Sequence, residues 1–457
     1  MDFLAIDIGS SYIKHAVLNL RAPALEAVER LPMPQAAEES AHARYELSMD
    51  ALTDQVRAII RARTAQRKIA GIVFSVQMHG FLLWDEAGHR VGDFATWQDM
   101  RALRPCPGGH ALDLIRRSVP EAVLQRNGTC PLPPHSVAQV LATLPELPAG
   151  TYRLSLLGDA LLECLTGQPA PIHETNACAT GMYDVFQRDW NHDMIRRLPL
   201  AGVCLPTVSR GKEPAAHWRE DGQRIPMYTA IGDQQAAILG AMPAPGELMI
   251  NIATGSQLIY VTDPPVPGEY GIRPLLEGQT YRTVSHLPAG RSLNVLMDFL
   301  VDAGKRLYGH AAPDAEKLWE TLRTLETGET AGLTVNLSFF EGERRGSVDG
   351  INESNLRIDH LFAAAYVEMA REYRAAFDRM KTGAERPQGI VLAGGIPRKS
   401  PALCQAIAQQ FQTACHFTPF REDALVGLLR LALLYAGEAQ TMAETLPMLK
   451  GLTIGYR

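Results

Sequence analysis

Cysteine is sparse in this 457-residue chain, and the seven, at positions 106, 130, 164, 178, 204, 404 and 415, form no CxxC pair. That pattern excludes a disulfide scaffold, and an odd number of scattered thiols suits a reducing, cytoplasmic setting. Thirteen histidines occur without an HExxH pattern or a Cys/His cluster, so a catalytic zinc is not indicated. A GxSxG nucleophile elbow is missing, and the absence of a GxxxxGK[ST] loop disfavours a P-loop ATPase. Positive charge is not concentrated anywhere: 44 Lys and Arg against 50 Asp and Glu leave a net charge of -6, so no nucleic-acid partner is expected. Long apolar runs are lacking too. The longest, Leu425 to Ala436, is interrupted by Arg430 and falls short of the roughly 20 residues that span a bilayer. The first residues, Met1-Asp2-Phe3-Leu4-Ala5-Ile6-Asp7, carry acids where a signal peptide carries bases. Neither export nor a membrane segment is expected.

What remains is an ordinary globular composition, 46% hydrophobic and 21% charged, at a length that outgrows one core. Phe3 to Ile8 reads as a strand, Gly9-Ser10-Ser11 as a turn of small residues, and Ile13 to Leu20 as a returning antiparallel strand. A second such unit lies about half a chain downstream: Gly246 to Ala253, then Thr254-Gly255-Ser256, then Gln257 to Val261. Lys68 to Phe74 and Gln388 to Gly395 are matching β-branched strands in the two halves. Apolar spacing at three and four residues predicts helices over Met49 to Thr64, Ser136 to Leu144, Gly158 to Leu165, His360 to Met380, Pro401 to Phe411 and Asp423 to Tyr435. Met242-Pro243-Ala244-Pro245-Gly246 is a natural hinge, which divides the chain into 1–242 and 243–457. The class is α/β, in two similar halves.

Several of these segments could carry chemistry. In Asp7-Ile8-Gly9-Ser10-Ser11-Tyr12-Ile13-Lys14, a tight turn lets backbone N–H groups face an anion and the lysine adds positive charge. The carboxylate of Asp7 would hold Mg²⁺ or a water. The partner turn at Thr254-Gly255 makes a two-sided clamp for a nucleoside triphosphate. Asp233, in Gly232-Asp233-Gln234-Gln235, lies just before the hinge, where it could accept a hydroxyl proton during phosphoryl transfer. Gln77-Met78-His79-Gly80 and Trp97-Gln98-Asp99-Met100-Arg101 mix planar hydrogen-bonding groups with apolar faces, as a polyhydroxylated sugar requires.

Taken together, these six ordered segments resemble the FGGY family of carbohydrate kinases along the whole chain. The resemblance implies two ribonuclease-H-like domains of the actin and hexokinase superfamily, with the active site in the cleft between them. It implies ATP and Mg²⁺, with Asp233 as general base, Asp7 and Asp233 beside the metal, and Ser10, Ser11, Lys14, Thr254, Gly255, Gly394 and Gly395 on the nucleotide. Gln77, Met78, His79, Asp99, Asp233 and Gln234 would face the sugar. Met78-His79 resembles xylulokinases. Gln234-Gln235 is nearer to glycerol kinases and sedoheptulokinases. Leu293-Asn294-Val295-Leu296, Glu341-Gly342-Glu343-Arg344-Arg345 and the Arg398-Lys399 form of the adenine loop are most similar to the sedoheptulokinase group, so a seven-carbon ketose is the leading acceptor. The chain departs from the family pattern at Val76, Ala253 and Pro397, the last removing a backbone donor. Two other readings share the hairpins: a sugar-independent actin-like ATPase, and a pseudokinase that binds ketose without turnover. A homodimer is left open.

Overall fold

The computed structural model describes residues 1–35, 37–39, 43–106, 108–309, 315–325, 328–340 and 346–456. The segment 341–345, which the sequence linked to acceptor choice, lies outside the described residues.

The chain opens with β1 (Asp2–Ile8), β2 (Tyr12–Asn19) and β3 (Ala24–Pro32), an antiparallel meander. From Phe3 onward β1 is buried on both faces, as its near-continuous apolar sequence dictates for a central strand. Helix α1 (Met49–Thr64) follows, with Ser48 as its N-cap and Leu52, Val56, Ile59 and Ile60 buried at helical spacing. The chain then adds β4 (Ile69–Val76) parallel to β1, on the side away from β2. Pro214–Glu220 and Gln223–Tyr228 extend the sheet beyond β4. Between β4 and these strands lies a large insertion of strands and helices, packed around a core that includes Phe81, Leu112, Ile115 and Met194; its six-stranded sheet is completed by Ala37–Glu39 and Arg44–Leu47, which precede α1.

Helix α2 (Asp233–Ala241) ends at Met242, which caps it in the left-handed conformation, and the second sheet begins immediately after the Pro/Gly segment. There β5 (Glu247–Ile252) and β6 (Ser256–Thr262) form an antiparallel hairpin, followed by β7 (Gly271–Pro274), β8 (Thr280–Leu287) and α3 (Gly290–Tyr308). Helix α4 (Ile358–Met380) leads to β9 (Gly389–Ala393), which lies parallel to β5, then to α5 (Pro401–Phe411), β10 (Cys415–Phe417) and α6 (Asp423–Tyr435). The strand order is β7-β8-β6-β5-β9-β10. The two sheets therefore repeat one plan, an antiparallel hairpin whose first strand is flanked on its other side by a later parallel strand. This is the two-domain actin/hexokinase architecture. Among the described residues, only the last strand, Thr453–Tyr456, crosses back, pairing parallel with β3 of the first sheet.

Helices α2 and α6 occupy corresponding places in the two halves and cross backbone to backbone. A Cβ on Gly240 would collide with the Asp423 carbonyl, and one on Gly427 with the Ala236 carbonyl. Around this crossing, Phe3, Ala5 and Val73 share one core with Met249, Val391 and most of α6. Arg430 is buried inside it. Its guanidinium is satisfied by the Leu239 carbonyl (2.5 Å), the Met442 carbonyl (2.7 Å) and Thr445 Oγ1 (2.7 Å), which explains a charge inside an otherwise apolar run. Among the described residues, no helix is long and apolar enough to cross a membrane. All seven cysteines are free thiols.

Candidate active site

The β1–β2 turn closes with the Gly9 N–H donating to the Tyr12 carbonyl (3.1 Å), leaving Ser10 and Ser11 exposed at its tip. The β5–β6 turn closes with the Ala253 N–H donating to the Gly255 carbonyl (3.0 Å), and Thr254 and Gly255 are exposed in the same way. Strand register sets Asp7 opposite Lys14 on one neighbour and opposite Ser75 on the other. Ser75 Oγ donates to Asp7 Oδ1 at 2.7 Å. Burial holds the Asp7 carboxyl above its usual range, against the pull of Ser75 and Lys14. Lys14 Nζ meets Glu422 Oε2 at 2.8 Å, an ion pair that joins β2 to the residue preceding α6. Burial opposes its charging, but Glu422, with Asp7 and Tyr456, together shift the ammonium upward.

Asp233 is the first residue of α2 and lies at the foot of the same turn region, because Ile231–Gly232 pairs with the end of β4 beside Ser75 and Val76. The Gln234 N–H donates to Asp233 Oδ1 at 2.8 Å. Burial and then repulsion from Asp7 push the Asp233 carboxyl up to about 7, with that hydrogen bond and Arg273 acting the other way. Two carboxylates that repel each other, with the neighbouring lysine drawn onto Glu422, make a local excess of negative charge. One or two carboxylates supplemented by substrate phosphates are the donor set that suits Mg²⁺, so the residues present fit that ion.

Gln77 follows β4 directly, its N–H donating to the Ile8 carbonyl (2.8 Å), and Met78 is buried against Gly232. His79 has φ of +67°, a strained conformation for a residue with a Cβ. Its Nδ1 lies 3.0 Å from the Ala179 carbonyl, so Nδ1 carries the proton and Nε2 is left as an acceptor. Burial, then Arg273, push its pKa down to about 3, so the ring is neutral. It stacks on His135, with centroids 5.3 Å apart. Gln234 Oε1 accepts from Tyr281 Oη (2.8 Å), while its Nε2 is buried with no partner, a donor ready for a ligand oxygen.

Asp99 does not join this wall. It is fully buried, and its oxygens are taken by the Tyr45 N–H (2.8 Å), the Arg101 N–H (3.0 Å), Arg101 Nε (2.8 Å) and Arg101 Nη2 (2.7 Å). Four donors fill a carboxylate, so the expectation that Asp99 faces a sugar is corrected to a structural role. Arg398 is committed likewise, donating to the Thr418 carbonyl (2.6 Å) and Thr418 Oγ1 (3.0 Å). Gly394 has φ of +85°, and a Cβ there would strike the Ile252 carbonyl, so only glycine lets the chain turn off β9 this close to the β5 strand end. Pro397 opens a short 3-10 turn, where the missing N–H costs nothing, before the Ser400 cap of α5. Beside the β5–β6 turn a cavity of about 550 Å³ is lined by Thr254, Gly395 and Ser400 together with Trp319, Arg323 and Tyr366.

Sequence reasoning missed Arg273, Tyr281 and His135, and it named Gln235 without its structural role. Gln235 Nε2 donates to the Pro274 carbonyl (3.1 Å), which ties β7, and with it Arg273, to the start of α2. No local pattern marks a lone arginine or tyrosine some forty residues past Asp233, because only the fold of β7 and β8 against α2 brings them together.

Comparison with known proteins places this geometry in a lineage. The profile of the FGGY family of carbohydrate kinases, N-terminal domain, matches residues 3–240. The chain is 25% identical to an apulose kinase from Pectobacterium atrosepticum over 57% of its length and only 55% of that protein. It is 26% identical to a glycerol kinase from Ectopseudomonas mendocina over 87% of its length and 82% of that protein. The solved structure of a xylulose kinase from Lactobacillus acidophilus shares the fold with a TM-score of 0.80 at 16% identity, covering 98% of this chain and 91% of that one. With the match spanning more than half its length, the chain belongs to the FGGY family of carbohydrate kinases.

Proposed function

We propose that this protein transfers the terminal phosphoryl group of ATP to a primary hydroxyl of a ketose, with sedoheptulose the leading acceptor and xylulose, ribulose or a polyol the alternatives. The observation that carries this reading is Asp233: a carboxyl that burial and then Asp7 push up to about 7, at the first turn of a helix, beside the strand end that carries Asp7 and next to the unpartnered Nε2 of Gln234. Residues 1–242 supply most of the acceptor contacts and the first phosphate turn, and residues 243–457 hold the nucleotide.

Asp233 takes the proton from the acceptor hydroxyl as that oxygen attacks the terminal phosphorus, and ADP leaves. Backbone N–H groups around Ser10, Ser11, Thr254 and Gly255 donate to phosphate oxygens, and Lys14 adds charge once nucleotide competes with Glu422 for it. Gly394 and Gly395 leave room for the adenosine above the cavity lined by Trp319. Asp7, with Asp233 nearby, would hold Mg²⁺, which supplies charge neutralisation to the phosphates. Gln77, Met78, His79 and Gln234 orient the acceptor, His79 Nε2 as an acceptor of a hydroxyl proton and Gln234 Nε2 as a donor.

The sedoheptulose preference rests on the resemblance of Leu293 to Leu296 and of the Arg398-Lys399 loop to that group. The test is ADP release with Mg-ATP against sedoheptulose, xylulose, ribulose, fructose, glycerol and pentitols. The largest kcat/KM is expected with sedoheptulose. Silence across the panel sinks the acceptor class, and hydrolysis of ATP that no polyol stimulates points instead to an actin-like ATPase.

A further inference from the structure

Arg101 and Arg430, both buried, are saturated, while the buried Arg282 keeps one nitrogen, Nε, without a partner. Arg101 divides its nitrogens among Asp99, Glu46 and Thr143, and Arg430 among two carbonyls and Thr445. Arg273 is different. Its Nε and Nη1 are buried without a hydrogen-bond partner, and it makes no ion pair with any described residue. The residue is only partly buried, but two guanidinium nitrogens withdrawn from water and left unpaired are costly, and a ligand that reaches them would complete them.

The position of Arg273 identifies that ligand. It sits on β7, held against α2 by the bond from Gln235 to the Pro274 carbonyl. Its charge is felt by Asp233 and His79 of the proposed site and by the buried His135, Cys178 and Tyr281. Two of those neighbours are neutral imidazoles, which cannot compensate a cation. Arg273 also lines a cavity of about 680 Å³ between the insertion of the first half and the edge of the second sheet, with Thr129, Glu269, Tyr270, Ser285 and His286 among the other walls. That volume lies within the range of small-molecule sites.

We infer that Arg273 reads the acceptor, its planar fork receiving a pair of adjacent oxygens on the substrate. This rests on the kinase reading above and deepens it. Two acceptor chemistries present such a pair: the carbonyl and neighbouring hydroxyl of a ketose, and the carboxylate of a sugar acid. A point charge such as lysine cannot grip both oxygens in one plane.

The test combines kinetics and equilibrium binding for wild type, Arg273→Lys and Arg273→Gln, with ketoses in one arm and aldonates in the other. Arg273→Gln should raise the acceptor KM by about 10- to 100-fold, the range for a charged hydrogen-bond pair, while the KM for ATP stays within about twofold. Arg273→Lys should recover only part of the loss. The arm in which wild type binds and Arg273→Gln does not identifies the oxygen pair. An acceptor KM or Kd unchanged in Arg273→Gln, or acceptor and ATP constants moving together in both variants, overturns the assignment. If wild type binds an acceptor Arg273-dependently yet turns none over, the kinase reading fails and the role of Arg273 stands. Binding of no sugar to wild type overturns both.

Discussion

Asp233→Asn retains the shape of the side chain and removes its ability to take a proton. The amide oxygen can still accept from the Gln234 N–H, now 2.8 Å from Oδ1, so the start of α2 should hold. A positioned general base contributes about 10²- to 10⁴-fold, so turnover should fall by about 3 to 5 kcal/mol of transition-state stabilisation. The pKa near 7 adds a second signature. The ionised form is the working base, so at pH 6 only about a tenth of the wild type is competent, and about nine-tenths at pH 8. Measured with subsaturating Mg-ATP, kcat/KM should therefore rise about tenfold across that interval in wild type and stay flat in the variant. Stability should move the opposite way. A carboxyl whose folded pKa is raised contributes stability fully present below its unfolded pKa, and that contribution is lost as pH rises through about 7. At pH 8 the Asn variant, with no charge to bury, should thus be at least as stable as wild type. A stopped-time ADP assay and a denaturant titration at both pH values are sufficient. Wild-type turnover in Asp233→Asn would refute the role of this residue, as would a wild-type profile flat from pH 5.5 to 8.

Other outcomes follow from the same structure. Asp99→Ala should unfold at lower denaturant, by about 3 to 5 kcal/mol, because it strands the buried Arg101 guanidinium, yet leave the acceptor KM of the folded fraction unchanged; a selective KM effect would restore Asp99 to the sugar site. Gly427→Ala should cost about 1 to 3 kcal/mol or more and lower kcat, since its Cβ meets the Ala236 carbonyl and must part the two helices that join the halves; thermal unfolding and turnover equal to wild type would contradict that packing. Asp159, pushed up to about 7 by burial, should make wild-type stability decline from pH 5 to pH 8, and Asp159→Asn should flatten that decline in denaturant midpoints.

The sequence by itself determined the repeated strand–turn–strand units and the ends of α1, α5 and α6. These are local properties: apolar period, small-residue turns and a capping serine or an early proline specify each element from its own residues. The same reading placed Asp7, His79, Asp233 and Gln234 in chemically suggestive strings. It could not separate Asp99 from them, because whether a carboxylate faces a ligand or an arginine depends on which donors the fold brings within 3 Å. It did not foresee that the final strand returns to the first sheet, a pairing of residues more than four hundred positions apart. Only tertiary structure decided that two glycines let α2 and α6 touch, that Lys14 rests on Glu422, and that burial and then repulsion from Asp7 raise Asp233. It alone brought Arg273 close to Asp233 and His79 with two nitrogens unspent. Burial and charge proximity are sums over neighbours distant in the chain, so they come into existence only when the chain has folded.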